Sequence, residues 1–179
     1  IQFGQYYALV IGNNNYSHLD KLSTPIKDAE MISDVLETRY GFTVTRLFDA
    51  SREGIIRALN QFRRNLRQQD NFLIYYAGHG SYDEETKNGF WQPINAEKRD
   101  DTDWIPNSRI TSILRGIKSN NVIVIADSCY SGTVFRGAGS PHPSGKANTE
   151  FLERILKKKT RVALTSGGNE PVVDSISGG

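Results

Sequence analysis

Val122-Ile123-Val124-Ile125-Ala126-Asp127-Ser128-Cys129-Tyr130-Ser131-Gly132 is an apolar run that ends abruptly in small and polar residues. Four β-branched side chains and an alanine, closed by a turn, read as a strand buried inside a parallel sheet. A second run, Phe72-Leu73-Ile74-Tyr75-Tyr76-Ala77, exits in the same manner into Gly78-His79-Gly80. The chain thus offers its single cysteine and an imidazole at the exits of two buried strands.

Outward from these two runs, short apolar segments alternate with stretches of helical period, the pattern of βαβ units. Tyr7-Ala8-Leu9-Val10-Ile11 reads as a first strand, closed by Gly12 and three asparagines. A helix is expected from about Pro25, with Thr24 as N-cap and proline at the favoured first position. Ala29, Ile32, Val35 and Leu36 form its apolar stripe, and Gly41 ends it. Thr43 to Phe48 reads as a strand; Ser51 can cap a helix whose Ile55, Leu59, Phe62 and Leu66 share one face. The polar, aromatic segment from Ser81 to Pro93 reads as a hairpin or long loop. A helix from about Ser108 carries Ile110, Ile113, Leu114 and Ile117. Residues 130–148, rich in glycine and poor in aliphatics, read as a flexible loop. A short helix over 149–159 and a last strand, Arg161 to Thr165, complete the reading. The expected architecture is α/β: one domain over residues 1–179, a three-layer α/β/α sandwich around a mostly parallel central sheet.

Composition narrows the function. The 179 residues are 37% hydrophobic and 23% charged, ordinary for a globular domain, and the net charge is +2. Lys157-Lys158-Lys159 is the one basic run; with no aromatic platform beside it, it reads as a solvated helix end, so no nucleic-acid partner is expected. One cysteine rules out an internal disulfide and cysteine-based zinc sites, and three histidines without a motif argue against other zinc sites. No apolar stretch approaches the ~20 residues that span a bilayer, so no membrane partner is expected. The chain shows no signal peptide but starts at Ile1, which suggests a piece of a longer protein. A free thiol suits a reducing cytoplasm.

In an open parallel sheet the functional crevice lies outside the carboxyl ends of the strands. If the strands ending at Ala77 and Ala126 are neighbours, His79 and Cys129 meet there. A thiolate is the competent nucleophile, and an adjacent imidazole can take its proton and pass it to a leaving amine. Gly78, Gly80 and Gly132 give the two turns room, and the amides of Gly80 and Cys129 are candidate donors to an oxyanion. The plainer reading of a lone cysteine is a small buried hydrophobe; matching strand exits in glycine-flanked turns favour catalysis.

These residues resemble the caspase/metacaspase family of cysteine peptidases. Tyr75-Tyr76-Ala77-Gly78-His79-Gly80 is similar to its histidine motif and Asp127-Ser128-Cys129-Tyr130-Ser131-Gly132 to its cysteine motif. The separation of about 50 residues is the spacing general to caspases. Ala8-Leu9-Val10-Ile11-Gly12-Asn13 and Ile26-Lys27-Asp28-Ala29 extend the likeness, which covers roughly residues 6–174. The resemblance implies a caspase-like fold and a dyad of His79 and Cys129. It also implies an oxyanion hole of the Gly80 and Cys129 amides, and protein or peptide substrates.

The S1 pocket of the resemblance is lined by Asp28, Asp127 and Ala77, with carboxylates matching those that make metacaspases prefer arginine or lysine. Caspases have glutamine where Asp127 stands. Asp28 also admits a plainer reading, a carboxylate held by the positive end of its helix. Charge complementarity in a partly desolvated slot would select a basic P1 side chain. Arg136 and Lys146, in the loop after Cys129, then become candidate self-cleavage sites.

Departures from the family pattern are also visible. Tyr130 stands where metacaspases commonly have histidine. Many metacaspases need calcium; Asp100, Asp101 and Asp103 are the acidic group here that could hold it, although such a group in a loop is more often a solvated turn. No cofactor is otherwise required. The family's sixth strand is missing, so a C-terminal fragment completing the sheet, and further domains, are expected partners.

Two rival enzymes fit poorly. A cysteine phosphatase needs an arginine six positions after its nucleophile, whereas Arg136 is seven after Cys129. Neither glycine-rich nucleotide-binding motif is present. The non-enzymatic alternative is a catalytically silent caspase-like module used for interaction or regulation; cleavage of short peptides ending in Arg or Lys separates the two.

Overall fold

The computed structural model describes residues 4–83, 85–86, 88–128 and 160–165. The elements run β1 (Tyr6–Gly12), α1 (Pro25–Tyr40), β2 (Thr43–Phe48), α2 (Arg52–Asn65), β3 (Asn71–Ala77), β4 (Gly80–Asp83), β5 (Asn88–Trp91), β6 (Ile105–Pro106), α3 (Asn107–Arg115), β7 (Asn121–Asp127) and β8 (Thr160–Thr165). The central sheet has five parallel strands in the order β2-β1-β3-β7-β8. β3 and β7, the two strands with the reactive exits, are neighbours.

Strand alternation sorts the apolar side chains between two helical layers. Leu9, Ile11, Phe72, Ile74, Tyr76, Val122 and Val124 meet α2 and α3 on one face, packed against Ile55, Leu59, Ile110, Ile113 and Leu114. Ala8, Val10, Tyr75 and Ala77 meet Ala29 of α1 on the other. The result is the three-layer sandwich. Each large aliphatic side chain fully withdrawn from water, Leu59 among them, contributes about 1.5–3 kcal/mol.

Helix α1 ends as its sequence dictates, on Gly41 at φ 68°, where a side chain would strain the backbone. Its start differs from expectation: Thr24 occupies the cap position but its side chain does not cap. The side-chain oxygen of Asn14 accepts the Ile26 N–H at 3.0 Å instead, tying the loop after β1 to the helix. The apolar stripe is also corrected. Val35 is exposed, while Ser33 is buried, its hydroxyl donating to the Ala29 carbonyl at 2.7 Å. A serine whose polarity is satisfied within its own helix can be buried without a partner from elsewhere. Ser51 does cap α2, accepting the Gly54 N–H at 3.3 Å.

The segment from Ser81 to Pro93 is a hairpin, β4 against β5, and β6 adds a third antiparallel strand that the sequence did not signal. This small sheet is joined to the core through Trp91, fully buried and stacked on Tyr76 with ring centroids 4.3 Å apart. The loop expected at 130–148 and the helix expected at 149–159 lie outside the described residues.

Candidate active site

The carboxyl ends of β3 and β7 are level: Ala77 is paired with Asp127, and the Gly78 N–H points at the Asp127 carbonyl from 3.4 Å. His79 is the second residue beyond β3, and Cys129 is the second residue beyond β7 in the sequence. Cys129 itself lies outside the described residues, as do the candidate cleavage positions Arg136 and Lys146.

His79 is half-buried and gripped at several points. Its Nε2 lies 2.8 Å from the carbonyl oxygen of Asp20. A carbonyl can only accept, so Nε2 carries the proton, and Nδ1 is left with a lone pair. Its backbone N–H donates to the Tyr16 hydroxyl at 2.7 Å, and its carbonyl accepts from the Tyr76 hydroxyl at 2.7 Å and the Gln92 N–H at 3.0 Å. The Tyr16 ring packs on the imidazole with centroids 4.5 Å apart. Gly78 makes this approach possible: at φ 156°, a Cβ there would stand 2.6 Å from the Tyr16 hydroxyl.

Tyr16 and Asp20 sit in the loop after β1, and sequence reasoning missed both. That loop is held by polar contacts that follow from the asparagine run. Asn13 Oδ1 accepts the Ala50 N–H at 2.9 Å, and Asp49 accepts the N–H groups of Asn14 and Asn15 at 2.8 and 2.9 Å. Asp49 adopts φ 48°, an uncommon conformation for a residue with a side chain. Burial opposes its charge, but the bonds from Asn15 and Asn14 outweigh it, with help from Lys21, and its carboxyl titrates below the ordinary range. Burial pushes the Tyr16 phenol up to about 12, against the hydrogen bonds it receives, so it stays neutral.

Asp28 and Asp127 both act on one side chain, that of Tyr75. Asp127 is half-buried at the end of β7, and Asp28 is half-buried in the first turn of α1. Between them, on the α1 face of the sheet, Tyr75 is pushed up to about 12 by burial, then by the negative charge of Asp127, then by that of Asp28. One phenol thus feels both carboxylates. Ala77, 2% exposed, shares that face two residues along the strand. Gly12 lets α1 come close: a Cβ there would lie 2.8 Å from the Pro25 carbonyl.

Gly80 opens β4 opposite Trp91. Because the adjacent pair is bonded through the Gln92 N–H and the His79 carbonyl, strand alternation turns the Gly80 N–H away from β5. β4 is the edge of its sheet among the described residues, so no described strand lies on that side. Asp100, Asp101 and Asp103 do not assemble into an ion site. Asp100 accepts the Thr102 N–H at 2.8 Å in a local turn, and no three acidic, histidine or cysteine side chains gather around a metal position among the described residues. No described helix is long and apolar enough to cross a membrane.

The caspase domain model matches residues 5–169, and the chain belongs to that family of cysteine peptidases. It is 35% identical over 89 residues to Mucosa-associated lymphoid tissue lymphoma translocation protein 1 of Homo sapiens, a match covering 50% of this chain and 10% of that protein. It is 24% identical over 151 residues to Metacaspase-1 of Saccharomyces cerevisiae, covering 73% of this chain and 34% of that one. A crystal structure of a protein from Geobacter sulfurreducens superposes with a TM-score of 0.60 at 26% identity, over 73% of this chain and 52% of the other. The chain therefore spans 10% to 34% of the length of the curated relatives it matches.

Proposed function

We propose that the chain is a cysteine endopeptidase in which Cys129 attacks the scissile carbonyl and His79 carries the proton. The observation that supports this most directly is the engagement of His79 Nε2 by the Asp20 carbonyl, which leaves the Nδ1 lone pair as the base. Nδ1 takes the thiol proton, and the thiolate adds to the carbonyl carbon. The Gly80 and Cys129 amides receive the oxyanion. The imidazolium then returns its proton to the leaving amine as the C–N bond breaks, leaving a thioester. Water, deprotonated by the same Nδ1, attacks that thioester and releases the acid and the free thiol. No metal or organic cofactor enters the scheme.

The same reading assigns a basic P1 residue. Asp28 and Asp127, with Ala77 between, offer paired negative charge to a guanidinium or ammonium group. Cleavage of the chain after Arg136 or Lys146 follows from that specificity. The test is a panel of fluorogenic peptides with Arg, Lys or Asp at P1, assayed with the protein and with Cys129→Ala. Hydrolysis after Arg and Lys, abolished in the variant, is the expected result. Cleavage after Asp alone overturns the pocket assignment, and no thiol-dependent cleavage of any peptide favours the silent module.

A further inference from the structure

We propose that Tyr16 is a positioning residue for His79, holding the imidazole by its backbone and its ring together; this rests on the reading of His79 as the base for Cys129. The ordinary partner of the His79 N–H would be the Gln92 carbonyl, since Gly80 and Trp91 are antiparallel partners and the reverse bond, from the Gln92 N–H to the His79 carbonyl, is made at 3.0 Å. Instead the Tyr76 hydroxyl lies between the two carbonyls, sharing its one proton between that of His79 at 2.7 Å and that of Gln92 at 3.0 Å, and the His79 N–H is drawn to the Tyr16 hydroxyl at 2.7 Å. The sheet ladder is broken at the one residue whose side chain must be aimed.

The Tyr16 ring then lies against the imidazole, 4.5 Å between centroids and tilted by 55°. Together with the Asp20 carbonyl at Nε2, it leaves the ring little freedom to turn. Both contacts come from the loop after β1, so the base is set by a segment far from it in sequence. Gly78 is the complement: any side chain there would occupy the space of the Tyr16 hydroxyl. Tyr16 is 3% exposed, and its hydroxyl and ring are both engaged with His79, so its contribution is orientation.

The experiment compares Tyr16→Phe and His79→Ala with the unaltered protein. Three quantities are read: kcat and KM on an Arg-P1 peptide, the rate of iodoacetamide alkylation of Cys129 at about pH 6, and the melting temperature. Alkylation reports thiolate held by a nearby imidazolium at a pH where an ordinary thiol is protonated, and the single cysteine makes the label unambiguous. Tyr16→Phe is expected to lower kcat about 10- to 100-fold with KM little changed, the scale of a misaimed catalytic group. Its alkylation rate should fall toward that of His79→Ala while the folded state persists. A Tyr16→Phe protein with unaltered kcat and alkylation, or a loss confined to KM, overturns the proposal while slow alkylation of His79→Ala leaves the dyad standing. Alkylation of His79→Ala as fast as the unaltered protein overturns the dyad, and the role of Tyr16 with it. Should Tyr16→Phe melt below the assay temperature, Gly78→Ala, which displaces the hydroxyl rather than deleting it, is read by the same criteria.

Discussion

The imidazole of His79 and the backbone carbonyl of Asp20 face each other at 2.8 Å across 59 residues of sequence. An acceptor that cannot titrate fixes the tautomer without adding a charge. The imidazole is therefore held at Nε2 by a neutral backbone acceptor.

His79→Ala should abolish general-base assistance, lowering kcat/KM on an Arg-P1 peptide by about 10²- to 10⁴-fold. Asp20→Ala keeps the carbonyl and should retain activity within about threefold, since the side chain is not the contact. Steady-state kinetics on both variants checks the pair.

Asp28→Asn and Asp127→Asn should each weaken cleavage after Arg. Loss of one charge-assisted contact is worth about 1.5–3 kcal/mol, roughly 10- to 150-fold in kcat/KM. The phenol of Tyr75 offers a second readout. Both carboxylates help hold it up near 12, so removing either charge should lower its titration, followed by ultraviolet absorbance.

Asp49 links the site loop to pH. Its folded-state carboxyl titrates below the ordinary aspartate value, so the stability it contributes is present above that ordinary value. This stability is lost as pH falls through the depressed one. Asp49→Asn should melt lower than the unaltered protein at neutral pH, and the gap should narrow as pH falls below the ordinary aspartate range and through the depressed folded-state value. Thermal scans across that range test the sign.

Two glycines should respond differently to alanine. At Gly41, φ 68° with open space around it, the cost is conformational alone, about 1 kcal/mol. At Gly12, where a Cβ would meet the Pro25 carbonyl at 2.8 Å and Ala29 Cβ at 2.9 Å, α1 must shift. Overpacking of this kind costs about 1–3 kcal/mol or more. Urea unfolding of each variant gives the comparison.

What could be read from the sequence follows from how each residue acts. β1 and β3 are covered on both faces, so their apolar runs are continuous and legible; β7 carries the same kind of run although Ile123 is exposed, and the order of glycine, histidine and cysteine motifs announced the family. β6, two residues ending in Pro106, is too short to carry a period. Ser33 and Val35 exchanged places because a hydroxyl bonded to its own helix does not need water. Tyr16 was hidden in a polar run that reads as loop, and Gly78 was the only hint that something had to approach His79 closely. Asp20 acts through its carbonyl, which every residue possesses, so no side-chain pattern could have revealed it.

Tyr76 belongs to two structures at once. Its ring is fully buried among the apolar side chains and stacked on Trp91, while its hydroxyl holds the carbonyl of His79. The carbonyl of the histidine is thereby moored to the core, and the Gln92 amide proton, which that carbonyl also accepts, should exchange on the timescale of global opening rather than of loop breathing. Heat or denaturant would then extinguish turnover and foldedness in a single step, with no folded-but-inert species in between.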